Sequence, residues 1–141
     1  MEILSQINPG EPGGVLYKKV KISNAELLAM FTTPLELVAA PGVGKVVRIY
    51  GKSSLFLHST VAYITNTTVN ILYGTTVHAV FTTLLAGGVD KYLGLSEGNN
   101  ALLLSNTALN INVGTGNPGT STATNYLIVE LYYQIVPSAD V

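Results

Sequence analysis

Apolar and polar positions alternate most regularly near the end of the chain, at Tyr126-Leu127-Ile128-Val129-Glu130-Leu131-Tyr132-Tyr133-Gln134-Ile135-Val136. Val, Ile and Tyr suit a pleated, half-buried surface, and neither Gly nor Pro interrupts the run. Side chains alternate faces along a strand, so Leu127, Val129, Leu131, Tyr133 and Ile135 share one apolar face. Tyr126, Ile128, Glu130, Tyr132, Gln134 and Val136 share the other, which is mixed. The pattern predicts a central strand with one face in a core. The second face suits another layer or a subunit contact, because Glu130 and Gln134 need partners or water.

The rest of the chain repeats this pattern in shorter pieces. Residues 1–14 read as an extended arm ending in Asn8-Pro9-Gly10-Glu11-Pro12-Gly13-Gly14, with Ile3, Leu4 and Ile7 available for burial on a neighbouring subunit. Residues 15–22 read as a strand. Ser23 and Glu26 fit a capping box, followed by a short helix with Leu27, Leu28, Met30 and Phe31. Thr33 before Pro34 ends it. Residues 35–40 and 45–50 are expected strands around the turn Pro41-Gly42-Val43-Gly44, with 55–58 continuing the second beyond a kink at Gly51. Residues 61–64, 69–73, 77–83, 101–105 and 108–113 are further candidates. Residues 84–100 read as a loop excursion, and 114–125 as a long loop that is either functional or mobile. Residues 137–141 form a tail expected to be loose. About eight to ten short strands with turn signals between them predict an all-β, jelly-roll-like two-sheet β-sandwich with one short helix. An immunoglobulin-like sandwich is the second choice. The expected organisation is an arm at 1–14, a sandwich domain at 15–136 and a tail at 137–141.

Composition changes this picture in one respect. Hydrophobic residues make up 48% of the 141 and charged residues 11%, against roughly 25% charged in an average soluble domain. Mean hydropathy is +0.40, so either a membrane or other chains should take up apolar surface. No run approaches the roughly 18 apolar residues of a spanning helix. Burial in an oligomer or larger assembly is therefore expected. A net charge of −1 argues against general nucleic-acid binding. The cluster Lys18, Lys19 and Lys21 is read as the guard of a strand edge. Without Cys there is no disulfide, no thiolate nucleophile and no Cys-based zinc site. The first residues lack the basic start and apolar segment of a signal peptide, which leads to the expectation of a protein that stays where it is made.

Candidate chemistry is sparse. His58 and His78 are the available general bases at neutral pH, and neither has a nucleophile and a carboxylate at diagnostic spacing. The carboxylates form no calcium-loop ladder. Glu36 and Glu130 are expected to pair across a sheet with Lys45, Arg48 or Lys52. Gly42-Val43-Gly44-Lys45 resembles the end of a phosphate loop, but its first glycine is missing and Val46 takes the Ser/Thr position, so a turn accounts for it better. Asn66-Thr67-Thr68 matches a glycosylation acceptor. The eight tyrosines suit core and interface packing better than stacking on sugars. No catalytic, cofactor-binding or metal-ligating residue is assigned.

The stretch Thr33-Pro34-Leu35-Glu36-Leu37-Val38-Ala39-Ala40-Pro41-Gly42-Val43-Gly44-Lys45-Val46-Val47 resembles a turn-and-strand motif of small tailed-bacteriophage virion proteins, written TP-x-x-LV-x-APG-x-GK. Such proteins also end in a Gly/Thr-rich loop and a Tyr-rich strand, and the likeness spans residues 21–136. It implies a capsid decoration, or cement, protein. Such proteins are often trimers seated at three-fold positions of the shell, where they hold neighbouring capsomers of the expanded head. The resemblance implies the major capsid protein as partner, no direct contact with nucleic acid or membrane, synthesis in the host bacterial cytoplasm and residence on the capsid surface. It transfers no binding residue. The alternative is a trimeric receptor- or carbohydrate-binding head of a phage fibre or tail, using the loops 84–100 and 114–125.

Overall fold

A computed structural model describes residues 1–7, 14–95, 103–119 and 124–140. In chain order the elements are β1 (Glu2–Gln6), β2 (Leu16–Ser23), α1 (Asn24–Ala29), β3 (Leu35–Val38), β4 (Lys45–Ile49), β5 (Ser53–His58), β6 (Val69–Tyr73), β7 (Thr76–Phe81), β8 (Lys91–Leu95), β9 (Leu109–Val113) and β10 (Tyr126–Pro137). A 3-10 turn, Ser138–Asp140, follows. The protein is an all-β, two-sheet sandwich. The large sheet runs β1-β2-β10-β5-β8, with β4 also on β10, and the small sheet runs β3-β9-β6-β7. Every pairing is antiparallel.

β10 is the long element around which the large sheet is built. Along one side it pairs with β2 from Tyr126 to Tyr133. Along the other it pairs first with β5, then with β4. β4 and β5 run in the same direction, end to end, as one strand broken at 50–52, so the kink expected at Gly51 is present. The break would leave the half-buried Tyr132 N–H unpaired. Ser53 repairs it: the Tyr132 N–H donates to Ser53 Oγ at 2.9 Å, and the Ser53 hydroxyl donates to the Tyr132 carbonyl at 3.2 Å. The Tyr50 N–H donates to the same carbonyl at 2.7 Å. Buried backbone groups must be satisfied in this way.

With β1 set aside and β4–β5 counted as one strand, the first, eighth, third and sixth strands make one sheet. The second, seventh, fourth and fifth make the other. This is the order of a double Greek-key jelly roll. The inner face of β10 meets β9 and β6, and Leu127, Val129, Leu131, Leu109, Ile111, Val113, Val69 and Ile71 are all at or below 1% exposure. Removing a side chain of this size from water stabilises by about 1.5–3 kcal/mol. The helix α1 closes one edge with Leu27 and Met30 buried. Its capping box is present: Ser23 Oγ accepts from the Glu26 N–H, and the Glu26 carboxylate accepts from the Ser23 N–H at 2.9 Å.

Five expectations change. Residues 2–6 are a strand on the chain's own β2. Residues 61–64 are irregular, because the Tyr63 N–H donates to Leu85 O and its hydroxyl to the buried Asn24 Oδ1 at 2.7 Å. The excursion 84–100 contains a strand, β8. The tail is tied down as far as Ser138, whose N–H donates to Gly44 O at 2.7 Å. The strand expected at 101–105 does not form in its described part, where 103–104 are irregular and 105 enters a turn. Parts of the expected arm (8–13), of the two long loops (96–100 and 120–123), of that segment (101 and 102) and of the tail (141) lie outside the described residues.

Candidate functional site

The alternation that buries one face of β10 necessarily turns the other outward. Cross-strand register then decides which outward side chains are neighbours. Tyr126 stands opposite His58, Ile128 opposite Phe56 and Lys21, and Glu130 opposite Ser54 and Lys19. Tyr132 stands opposite Tyr17. On the next strand Tyr92 is opposite Phe56, and Gly94 opposite Ser54. Tyr17, Phe56, Tyr92, Tyr126 and Tyr132, with Ile128 among them, thus share one face of the large sheet.

The rings are set by contact. Tyr17 and Tyr132 lie 4.9 Å apart between centroids, tilted by 50°. His58 and Tyr126 are also 4.9 Å apart, tilted by 30°, and Lys21 Nζ sits 4.4 Å from the Tyr126 ring centre. Glu130 is the central charge, and Tyr132 Oη donates to its Oε1 at 3.4 Å. Partial burial, then the charge of Glu130, push the Tyr17 hydroxyl pKa above its ordinary value. The same two causes, in the same order, act on Tyr132. At the far end Tyr50 Oη donates to Gln134 Oε1 at 2.5 Å. Across the strands from Glu130, Ser54 is buried and Gly94 beyond it is exposed. A carbon added at Gly94 would meet nothing within 4 Å.

The lysine cluster does not guard a strand edge, because β1 covers β2. Lys19 faces Glu130 and Lys21 stacks on Tyr126. Lys18 points the other way, donating to Leu37 O at 2.7 Å. Burial lowers its pKa, and Glu36 opposes that shift. Glu130 thus stands across from Lys19 of β2 in the register, and Glu36 acts electrostatically on Lys18.

The second feature is β1, an edge strand whose residues are all exposed. Ile3 and Leu4 are 52% and 42% exposed, and Ile7 just beyond it 57%. The Met1 ammonium pairs with Glu26, which fastens the start of the strand to the helix cap.

The histidines lie on different sheets. His58 Nδ1 is 3.0 Å from Asp90 Oδ1, which also accepts from the Ser59 N–H at 3.0 Å. The Ser59 hydroxyl donates to Val61 O instead of to the imidazole. His78 packs edge-on against Tyr73. Among the described residues no three His, Cys, Asp or Glu side chains are grouped to hold a metal. Gly42 to Lys45 is a turn entering a strand, with both glycines at positive φ and the Lys45 N–H donating to Gly42 O. Asn66 is engaged too, accepting from the Thr115 hydroxyl and donating to Asn117 O. Asn117 Oδ1 accepts from the Phe31 and Thr32 N–H groups at the end of α1, so the described start of the loop 114–125 is pinned to the body. A shallow apolar hollow of about 230 Å³ lies between α1 and β3, lined by Ala25, Glu26, Ala29, Thr33 and Leu35. It is smaller than the roughly 300 Å³ at which ligand pockets begin.

Fold and surface together define a jelly-roll domain with a broad aromatic face and an exposed apolar edge strand. No family model, curated protein or solved structure matches the chain.

Proposed function

We propose that this chain is a structural virion protein, a capsid decoration protein that binds the outer surface of a tailed-phage head as a homotrimer. The observation that carries the reading is β1. It is the end strand of the large sheet, with β2 as its one ladder neighbour among the described strands, and Ile3, Leu4 and Ile7 stand exposed on it or just beyond it. Such an edge is a template for strand addition. A subunit that adds this edge to a neighbour gains backbone hydrogen bonds and buries apolar side chains at once. The phage assignment itself rests on the motif at Thr33 to Val47 and on the Tyr-rich last strand. A decoration protein stabilises only the state that presents its site, here the expanded shell, by mass action.

The test has two parts. Light scattering of the purified protein is expected to give a trimer, and the protein is expected to bind expanded, undecorated shells. Deleting residues 1–14 is expected to leave the sandwich folded, since the described residues of that segment, 1–7 and 14, are all exposed. Occupancy on shells should then fall by an order of magnitude or more. Unchanged occupancy would remove the arm from the interface, and failure of the full chain to bind shells would end the decoration reading.

A further inference from the structure

Among the described residues, β1, β3, β4, β7 and β8 each have one ladder neighbour. They differ in how far a further strand can follow them. β1, β3 and β7 meet their neighbours through ladders with a break in register. β4 is regular but carries Lys45 and Arg48. A break twists the strand and a charge must lose water, so either shortens the length available for pairing. β8 has neither. Its ladder with β5 is regular from Lys91 to Leu95. Its one charged side chain is held by its own chain, since Lys91 Nζ donates to the carbonyls of Thr83 at 2.7 Å and Ala86 at 2.5 Å.

We infer that β8 pairs antiparallel with β8 of a second copy of this chain, about a two-fold axis through Leu93, where copies are crowded together. A two-fold contact joins like to like and cannot close a ring of three. It is therefore a different contact from the one proposed for β1, and neither rests on the other.

The residues of β8 select this occupant. A strand that continues a sheet must keep its faces matched, and only every second register does so. Of those registers, the one centred on Leu93 gives all five residues a partner. Lys91 then stands opposite Leu95 of the second copy, Tyr92 opposite Gly94, and Leu93 opposite its own equivalent. Tyr92 is 71% exposed, and a carbon added at Gly94 would meet nothing within 4 Å. Each ring thus lies over the open glycine of the other copy, twice about the axis. An aromatic side chain across from a glycine covers the backbone that glycine leaves bare. Leu93 faces the other way, half-buried at the margin of the core, and its equivalent completes its cover.

Charge agrees with the pairing. The two Lys91 residues are offset by four residues, about 13 Å along the strands, which exceeds the screening length of about 8 Å at physiological salt. Area sets the strength. Five residues a side fall well short of the roughly 1,000 Å² of a stable interface. The pair therefore forms at high local concentration, as on a surface where copies stand close, and not in dilute solution.

The chain has no cysteine, so one introduced thiol reports one contact. Opposed Cα atoms of an antiparallel pair lie about 4.5–5.5 Å apart, within disulfide range. Leu93→Cys at millimolar concentration in a glutathione redox buffer is expected to run mostly as a linked dimer on a non-reducing gel. Val80→Cys, exposed on β7, gives the rate of chance collision. Adding Gly94→Lys to Leu93→Cys sets an ammonium where Tyr92 of the second copy must lie, and should cut the linked fraction about tenfold. Adding Tyr92→Ala instead should cut it about threefold. The wild-type chain gives a second readout: amide hydrogen exchange in β8 should slow between micromolar and millimolar protein, while exchange in β7 should not. Linking no faster than that of Val80→Cys would overturn the inference, as would linking that survives Gly94→Lys, or β8 exchange that does not depend on concentration. Neither readout involves a phage shell, so failure here leaves the decoration reading standing.

Discussion

The two faces of β10 have the same backbone, the same period and similar residue types, yet they have opposite fates. Leu127, Val129, Leu131 and Tyr133 are buried under the small sheet, while Tyr126, Ile128, Glu130, Tyr132 and Gln134 are only half-covered. The inner face is defined by a second layer that excludes water. The outer face is defined sideways, by neighbours on β2, β5 and β8 that meet at their edges. Packing against a layer gives stability, and packing side by side gives a shaped surface. Substitutions on the two faces should therefore differ in what they change.

The largest effect is expected inside. Leu131→Ala should cost about 2–5 kcal/mol, read from denaturant unfolding, because the surrounding sheets close only part of the cavity. In a domain of this size the melting temperature should fall by about 5–15 °C. A loss below about 1 kcal/mol would mean that β10 is not the centre of the core.

A smaller effect is expected at the joint where the neighbour of β10 changes from β5 to β4. Ser53→Ala removes the hydroxyl that holds both the N–H and the carbonyl of Tyr132. Leaving the half-buried N–H unpaired should cost about 1–3 kcal/mol. Ser53→Thr, which keeps the hydroxyl, should recover part of the loss in the same measurement.

The smallest effect separates the faces by pH. Burial raises the Tyr133 pKa above its ordinary value. A group whose pKa is higher in the folded state contributes stability that is present below the unfolded value, about 10 for tyrosine, and lost as pH rises through the folded value. Wild-type stability should therefore fall above about pH 10, and Tyr133→Phe should flatten that fall. Tyr132→Phe is the control on the outer face, where solvent screens the charge, and should flatten it less. Equal behaviour of the two variants would contradict the burial difference.

Much of the fold is legible along the chain because local pattern and local partner agree. The alternation at 126–136, the Ser23–Glu26 box and the apolar alternation of Leu109, Ile111 and Val113 each contain their own structural reason. β8 is not legible, since Gly94 lowers its strand propensity, and it forms because β5 offers a free edge. β1 is not legible either, because it buries almost nothing and is held by its ladder to β2 and by the Met1–Glu26 pair. Residues 61–64 have strand-like residues but find their partners at Leu85 and Asn24.

The candidate site divides in the same way. Exposed apolar residues in the first segment can be read from the sequence, since nothing there alternates strongly enough to demand a core. The aromatic face cannot be. Tyr17, Phe56, Tyr92, Tyr126 and Tyr132 are scattered over most of the chain, and Tyr63, Tyr73 and Tyr133 look no different from them in sequence. Periodicity by itself determined that strands exist and which side chains share a face within each one, because that is local geometry. The tertiary structure alone decided which strands are neighbours and in what register. Those are long-range pairings, and they turned five separate rings into one surface.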